Sequence, residues 1–250
     1  MTNLLWDACY NARDLGDLPV VGGGHIRPGA LIRSDLLARL TPAGRQALIA
    51  HGVRTVIDLR LPVQISEEPS AFVTGQPKAG EPVYLILPVE NPDSPHFAAV
   101  DNAPSRAENY CLMLEHFQPQ FAAIVRAVAD APAGGVLLHC HAGKDRTGVV
   151  VALLLGLVGV PDDEIAADYA ASEDRLWPLY HRMEAEAVGD PMKLAAIQRQ
   201  KPIALPETMQ FVLDHLRQRY GGVHFYLLAA GVTPDELARL RTRLVEQEQE

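Results

Sequence analysis

The chain has 250 residues, 48% hydrophobic and 21% charged, which excludes a disordered or fibrous protein and leaves ample length for a buried core. Its 22 basic and 31 acidic residues give a net charge of −9, so nucleic acid and anionic membrane are poor partners for the surface as a whole, although a local basic pocket stays open to it. Three cysteines, Cys9, Cys111 and Cys140, with no C-x-x-C pair, point away from a disulfide scaffold and towards a reducing compartment.

Residues 1–14 show no basic segment followed by an apolar one, so no signal peptide is expected. Turn chemistry fills the first 30 residues (residues 11–16, Gly22-Gly23-Gly24, Pro28-Gly29), which predicts irregular structure. Thr41-Pro42 begins a helix that Gly52 stops. Residues 53–60 are β-rich and apolar up to a charged end, Asp58 and Arg60, and residues 83–89 form a second strand candidate. Pro92, Pro95 and Pro104 predict a surface loop over 90–104; helical spacing follows over 105–129. Residues 134–140 read as a short buried strand, and residues 141–148 lead into an apolar helix over 149–160, too short for the roughly 18–20 residues of a membrane span. The acids after Pro161 suit a helix N-terminus. Pro178, Gly189-Asp190-Pro191, Pro202 and Pro206 break residues 177–206 into short helices that could cover something, a candidate lid. Thr233-Pro234 starts the last helix, and 247–250 is a solvated tail. Strands alternating with helices predict one α/β domain over 1–250, with a central, mainly parallel sheet flanked by helices and a helical C-terminal region. The protein is expected to be soluble and cytoplasmic, without stable membrane insertion and without a nucleic-acid partner.

The chemistry concentrates in His139-Cys140-His141-Ala142-Gly143-Lys144-Asp145-Arg146-Thr147-Gly148, between strand and helix. A cysteine leaving a strand beside a helix N-terminus meets unpaired N–H groups and the positive end of the dipole, and both favour thiolate. Five residues between Cys140 and Arg146 allow a tight loop to curl round one phosphate, its N–H groups pointing inward as an anion nest over His141, Ala142, Gly143, Lys144, Asp145, Arg146 and Thr147. Gly143 permits the turn. Arg146 offers two parallel donors to two phosphate oxygens. Thr147 is placed to donate to the Cys140 sulfur and improve it as a leaving group. Lys144 either holds a second phosphate or points to solvent or an acid. His139 orders the loop by hydrogen bonding; neither a metal nor another cofactor is expected. A nucleotide P-loop is rejected, since Leu138 and Asp145 stand where it needs Gly and Ser or Thr.

This string resembles the C-x5-R-[S/T] signature of protein tyrosine phosphatases, and the fuller form H-C-x-A-G-K-D-R-T-G is similar to the atypical bacterial tyrosine-phosphatase B type. Residues 11–16, 31–35, 56–60 and 220–223 resemble the same branch, so the likeness covers most of the chain. The resemblance implies a cysteine-dependent phosphomonoester hydrolase: Cys140 attacks phosphorus, Arg146 binds phosphate, and a thiophosphate intermediate is hydrolysed. It implies a phosphorylated protein or a phosphoinositide as substrate. The leaving oxygen needs an acid, and no Trp-Pro-Asp occurs; Trp177-Pro178 is followed by Leu179. Asp58, at the carboxyl end of a strand, and Asp145, inside the loop, are the candidates, with Asp58 preferred because Asp145 opposes the thiolate. Arg60 touches substrate or pairs with an acid such as Glu67. Arg13-Asp14 and Arg33-Ser34-Asp35 are read as ion pairs holding the fold, Asp14 also supporting Arg146. Two other classes fit the same anion loop: a phosphate-binding module without turnover, and a rhodanese- or arsenate-type thiol enzyme with Cys9 or Cys111 as partner thiol.

Overall fold

The computed structural model describes residues 1–70, 72, 73 and 80–247. Six strands make the main sheet in the order β1-β2-β4-β7-β5-β6: β1 (Thr2–Asn3), β2 (Arg13–Asp14), β4 (Leu31–Ser34), β7 (Gly135–His139), β5 (Val53–Asp58) and β6 (Val83–Ile86). β4, β7, β5 and β6 run parallel, while β1 and β2 extend the β4 side antiparallel. β3 (His25–Ile26) pairs separately with β8 (Val245–Glu246). The opening segment is therefore not wholly irregular: Arg13-Asp14 pairs with Ile32-Arg33 despite the surrounding turn residues, because a neighbouring strand edge supplies partners that local propensity does not reveal.

Side chains alternate across the sheet. Leu31, Ile57, Val136 and Leu138 enter the larger core, whereas Ile32, Val56 and Leu137 enter the smaller one on the opposite face, the two-residue period of a strand buried on both sides. Over the smaller core lies α1 (Pro42–Ala50), capped by the Thr41 hydroxyl accepting from the Gly44 N–H. The larger core is built round α6 (Asp145–Val158), whose residues 147–155 are all buried. A helix apolar on every side needs neighbours on every side, and α5 (Gln118–Asp130), α7 (Asp162–Ala170), α10 (Pro206–Tyr220), α11 (Val223–Ala229) and α12 (Pro234–Leu244) provide them. α6 begins four residues earlier than the apolar run suggests, so Asp145 and Arg146 occupy its first turn.

Three further expectations are corrected. The 90–104 segment contains α3 (Phe97–Asp101). Residues 105–129 split at Phe117 into α4 (Arg106–His116) and α5, since Pro119 fits a first turn but not a helix interior. Pro178 does not break its helix: α8 (Ser172–Glu186) runs through it, buried Leu176, Leu179 and Tyr180 offsetting one lost hydrogen bond. α9 (Pro191–Arg199) follows, and Ile197 packs with Tyr180, Trp177, Met183 and Leu194 in a small cluster apart from both cores. Among the described residues no helix is long and apolar enough to cross a membrane. Of the predicted tail, 248–250 lie outside the described residues.

Candidate active site

Cys140 stands where β7 ends, 2% exposed, and the chain then curls through residues 141–144 into α6. What shapes this loop is the fate of its carbonyls. His139 O accepts from Leu59 N (2.9 Å), His141 O from Leu36 N (2.9 Å) and Lys144 O from Gly148 N (2.7 Å). Asn11 Nδ2 donates to Ala142 O (3.0 Å) and Gly143 O (3.1 Å), and Arg33 Nη2 to Gly143 O (2.6 Å). His139 Nδ1 lies 3.1 Å from Cys140 O. With the carbonyls drawn outward, the peptide planes turn their N–H groups inward, and none of the 141–144 N–H groups meets an acceptor among the described residues. Unpaired backbone N–H groups of this kind are what an anion nest is made of. Gly143 (φ +63°) is obligatory: a Cβ there would lie 2.1 Å from Ser34 O.

Behind the loop two buried ionic networks fix it. Asp168, on α7, accepts Arg13 Nε on Oδ1 (2.7 Å) and Arg33 Nη1 on Oδ2; Arg13 Nη1 also donates to Asn11 Oδ1 (2.5 Å), orienting the amide that holds the loop. Burial raises the proton affinity of Asp168, but the two guanidiniums outweigh it and hold the carboxyl below its ordinary range. Arg13 and Arg33 thus pair with Asp168, not with their sequence neighbours. Asp35, just past the end of β4, instead accepts from Cys9 Sγ, two backbone N–H groups and Arg39. Asp14 accepts from Gly16 N (2.9 Å) and Gly29 N (2.7 Å) and lies 3.1 Å from His51 Nε2; it closes a turn and does not touch Arg146.

The second network corrects the preference for Asp58. Its side chain is fully buried, accepts Arg60 Nη2 (2.7 Å) and the Tyr84 hydroxyl, lies 3.5 Å from His139 Nε2, and does not line the cavity in front of Cys140. Burial pushes the Asp58 carboxyl up, yet His139, Arg60 and Tyr84 together bring it below the ordinary value. Arg60 is equally enclosed, bonded to Asp58 and to Glu68 O (3.0 Å), and reaches neither substrate space nor Glu67. A strand's carboxyl end puts a residue near the site; which way its side chain turns is decided by the neighbouring strand, here by Tyr84 on β6.

In front lies a cavity of about 560 Å³. Cys140, His141, Ala142, Lys144, Asp145 and Arg146 form its floor, and Leu176, Leu179, Tyr180, Met183 and Ile197 of α8 and α9 form an apolar wall. Arg146 Nη1 donates to Gln64 Oε1 (2.8 Å) and Glu90 Oε2 (3.2 Å). His141 Nε2 is 3.1 Å from Glu68 Oε2; burial lowers the proton affinity of this imidazole more than Glu68 raises it. Lys144 lines the cavity floor but is 3% exposed, and its amine is engaged: Nζ donates to Ile203 O (3.1 Å) and lies 3.8 Å from Asp145 Oδ1. Asp145 Oδ1 accepts from Arg106 and from the Tyr110 hydroxyl. Burial alone would raise this carboxyl, but Lys144, Arg106 and the Tyr110 bond hold it below the ordinary range. The Thr147 hydroxyl is buried and bonds to nothing among the described residues, so the expected bond to the Cys140 sulfur is not formed. All three cysteines are free; burial, with Glu115 and Glu108 nearby, pushes Cys111 up to about 12. Among the described residues no three His, Cys, Asp or Glu side chains converge as metal ligands would.

Sequence reasoning missed Arg106, Tyr110, Gln64 and Glu90, which come from helices and loops with no motif of their own. Asn11 and Arg33 lay within segments singled out above, Asn11 as part of a turn and Arg33 as part of an ion pair holding the fold, neither as a residue that holds the loop.

A family model described as the tyrosine phosphatase family matches residues 4–246. A tyrosine-protein phosphatase of Nostoc commune is 33% identical over 237 residues, covering 90% of this chain and 78% of that protein. The triple specificity protein phosphatase PtpB of Mycobacterium tuberculosis is 34% identical over 257 residues, covering 91% and 87%. The chain belongs to the tyrosine phosphatase family, and it is an enzyme of the cysteine-dependent phosphatase type.

Proposed function

We propose that the protein hydrolyses phosphotyrosine in proteins, with Cys140 as nucleophile, Arg146 and the 141–146 amides as the phosphate cradle, and Asp145 as general acid. The observation that carries this reading is that the loop carbonyls round Cys140 are held by partners outside the loop while the 141–144 N–H groups meet no acceptor among the described residues. The Cys140 sulfur attacks phosphorus, forming S–P as the P–O bond to the tyrosyl oxygen breaks, and the Asp145 carboxyl gives its proton to that oxygen. Water then attacks phosphorus and returns a proton to Asp145, and the S–P bond breaks to release phosphate. Arg146 leaves Gln64 and Glu90 to grip two phosphate oxygens. The apolar wall of α8 and α9 suits an aromatic ring better than a polyphosphorylated inositol, and the engaged Lys144 Nζ favours the same choice. α8 and α9 then act as a lid over the bound side chain.

Two variants test this. Cys140→Ser is expected to abolish turnover of aryl phosphates while inorganic phosphate still binds; retained hydrolysis overturns the nucleophile. Asp145→Asn should lower kcat/KM by about 10²–10³ for phenyl phosphate and far less for an aryl phosphate with an activated leaving group, the signature of a lost proton donor. Equal losses on both substrates reject Asp145 as the acid. Because a general acid works only while protonated and this carboxyl is held below its ordinary range, kcat/KM should fall with rising pH from a limb on the acid side.

A further inference from the structure

Asp145 is not an unsupported side chain on the pocket wall. Arg106 Nη1 and the Tyr110 hydroxyl, both from α4, converge on its Oδ1, and Lys144 Nζ stands 3.8 Å from the same oxygen. Oδ2 has no partner among the described residues. Tyr110 has one hydroxyl hydrogen and gives it to Asp145, so in its 3.0 Å contact with Tyr169 the Tyr169 hydroxyl is the donor. A relay of orientation thus runs from Tyr169 on α7 through Tyr110 on α4 to the catalytic loop. Burial pushes both phenols up, Tyr169 to about 12, so both keep their hydrogens over the working range.

We propose that Arg106 and Tyr110 are positioning residues for proton transfer: they fix Oδ1 as an acceptor and leave Oδ2 as the oxygen that carries the proton to the leaving group. This rests on the reading of Asp145 as the acid. Charged and titratable groups come at Asp145 from several sides: Lys144 on its own loop, with Cys140 and Glu173 acting on that lysine; Arg106 and Tyr110 on α4; Tyr169 on α7; and Asp101 and Arg199 across the same cavity. Of these, Arg106 and Tyr110 are the pair hydrogen-bonded to the carboxylate. Removing Arg106 therefore has two consequences that a scaffold residue would not combine. The carboxyl loses a cation favouring its ionised form, so it stays protonated to higher pH. It also loses its aim, which slows substrates that need the proton most.

The experiment compares Arg106→Met, Arg106→Lys and Tyr110→Phe on phenyl phosphate and on an activated aryl phosphate, with kcat/KM followed against pH. Arg106→Met should move the falling limb up by about one pH unit and lower kcat/KM about tenfold for phenyl phosphate, but less than about threefold for the activated ester. Arg106→Lys should return the limb close to its original place, and Tyr110→Phe should act in the same direction as Arg106→Met by a smaller amount. In an Asp145→Asn background, Arg106→Met should add nothing to the leaving-group dependence. An unmoved limb with equal losses on both substrates overturns the inference, and so does an undiminished Arg106 effect without the carboxyl. If Asp145→Asn by itself shows no leaving-group dependence, the acid assignment fails and this inference falls with it; if Asp145→Asn shows it and the α4 variants do not, the inference alone fails. Should Arg106→Met not fold, Tyr110→Phe, which removes one hydroxyl, decides on the same readouts.

Discussion

Two aspartate–arginine arrangements flank the same loop, one behind it and one in front. Behind, Asp168 clamps Arg13 and Arg33, with side chains 0–1% exposed. In front, Asp145 meets Arg106, with side chains 31% and 41% exposed. Identical chemistry serves opposite ends. Away from water the pair interacts strongly and has no solvent to fall back on, so it fixes geometry. At the pocket mouth water and salt screen it, so it adds little to folding and serves to aim and tune the carboxyl. The carbonyls of the loop are tied to buried groups (Asn11, Arg33, His139), while the side chains of Arg146 and His141 meet partners at the pocket mouth (Gln64, Glu90, Glu68). An enzyme that must keep donors aimed at a developing charge without reorganising them needs this division.

The largest effect should come from the rear. Asp168→Asn keeps the shape of the side chain but leaves two guanidiniums buried against one neutral amide, and it should cost about 3–5 kcal/mol of folding stability, read from the shift in a urea midpoint. Since the folded carboxyl lies below its unfolded value, its contribution is complete above about pH 3.9 and is lost as pH falls through the folded value; the deficit of the variant should therefore narrow in strong acid. A loss below about 1 kcal/mol at neutral pH, the scale of an exposed pair, would erase the distinction between the two sides.

The front of the site was more legible than its back. Cys140, Gly143 and Arg146 are adjacent in sequence, and their spacing alone gives a phosphate-sized loop; the parallel sheet followed from alternating apolar strands and helices. The rear clamp joins Asn11, Arg13, Arg33 and Asp168, and its bonded partners Arg13 and Asp168 are 155 residues apart. No local periodicity records a pairing at that distance. Asp58 shows the same limit: β5 was readable, its last residue was placed at the right end of the sheet, and the half-buried Tyr84 and buried Arg60 partners that turn it away from the cavity were not. Pro178 failed in the other direction, a local helix breaker overruled by the packing of its neighbours.

Asp58→Asn sharpens the comparison at intermediate size. As a member of a buried network, it should lower stability by about 1–3 kcal/mol and reduce kcat/KM by less than about tenfold, equally for good and poor leaving groups. A selective loss on phenyl phosphate, like that expected of Asp145→Asn, would make Asp58 part of the proton path and move the boundary between rear and front.

The smallest effect belongs to Glu90, at the mouth. Its carboxylate shares Arg146 with Gln64 at 26% exposure, so on the proposed role of Arg146 an incoming phosphate should displace it, and the contact should cost binding rather than supply it. Glu90→Gln removes that competition while keeping a hydrogen-bond acceptor. A partly exposed pair is worth at most about 1 kcal/mol, which corresponds to a fall in KM of up to about fivefold with kcat unchanged. If KM rises instead, Glu90 holds Arg146 in its working orientation, and the front of the loop depends on a fixed partner just as the rear depends on Asp168.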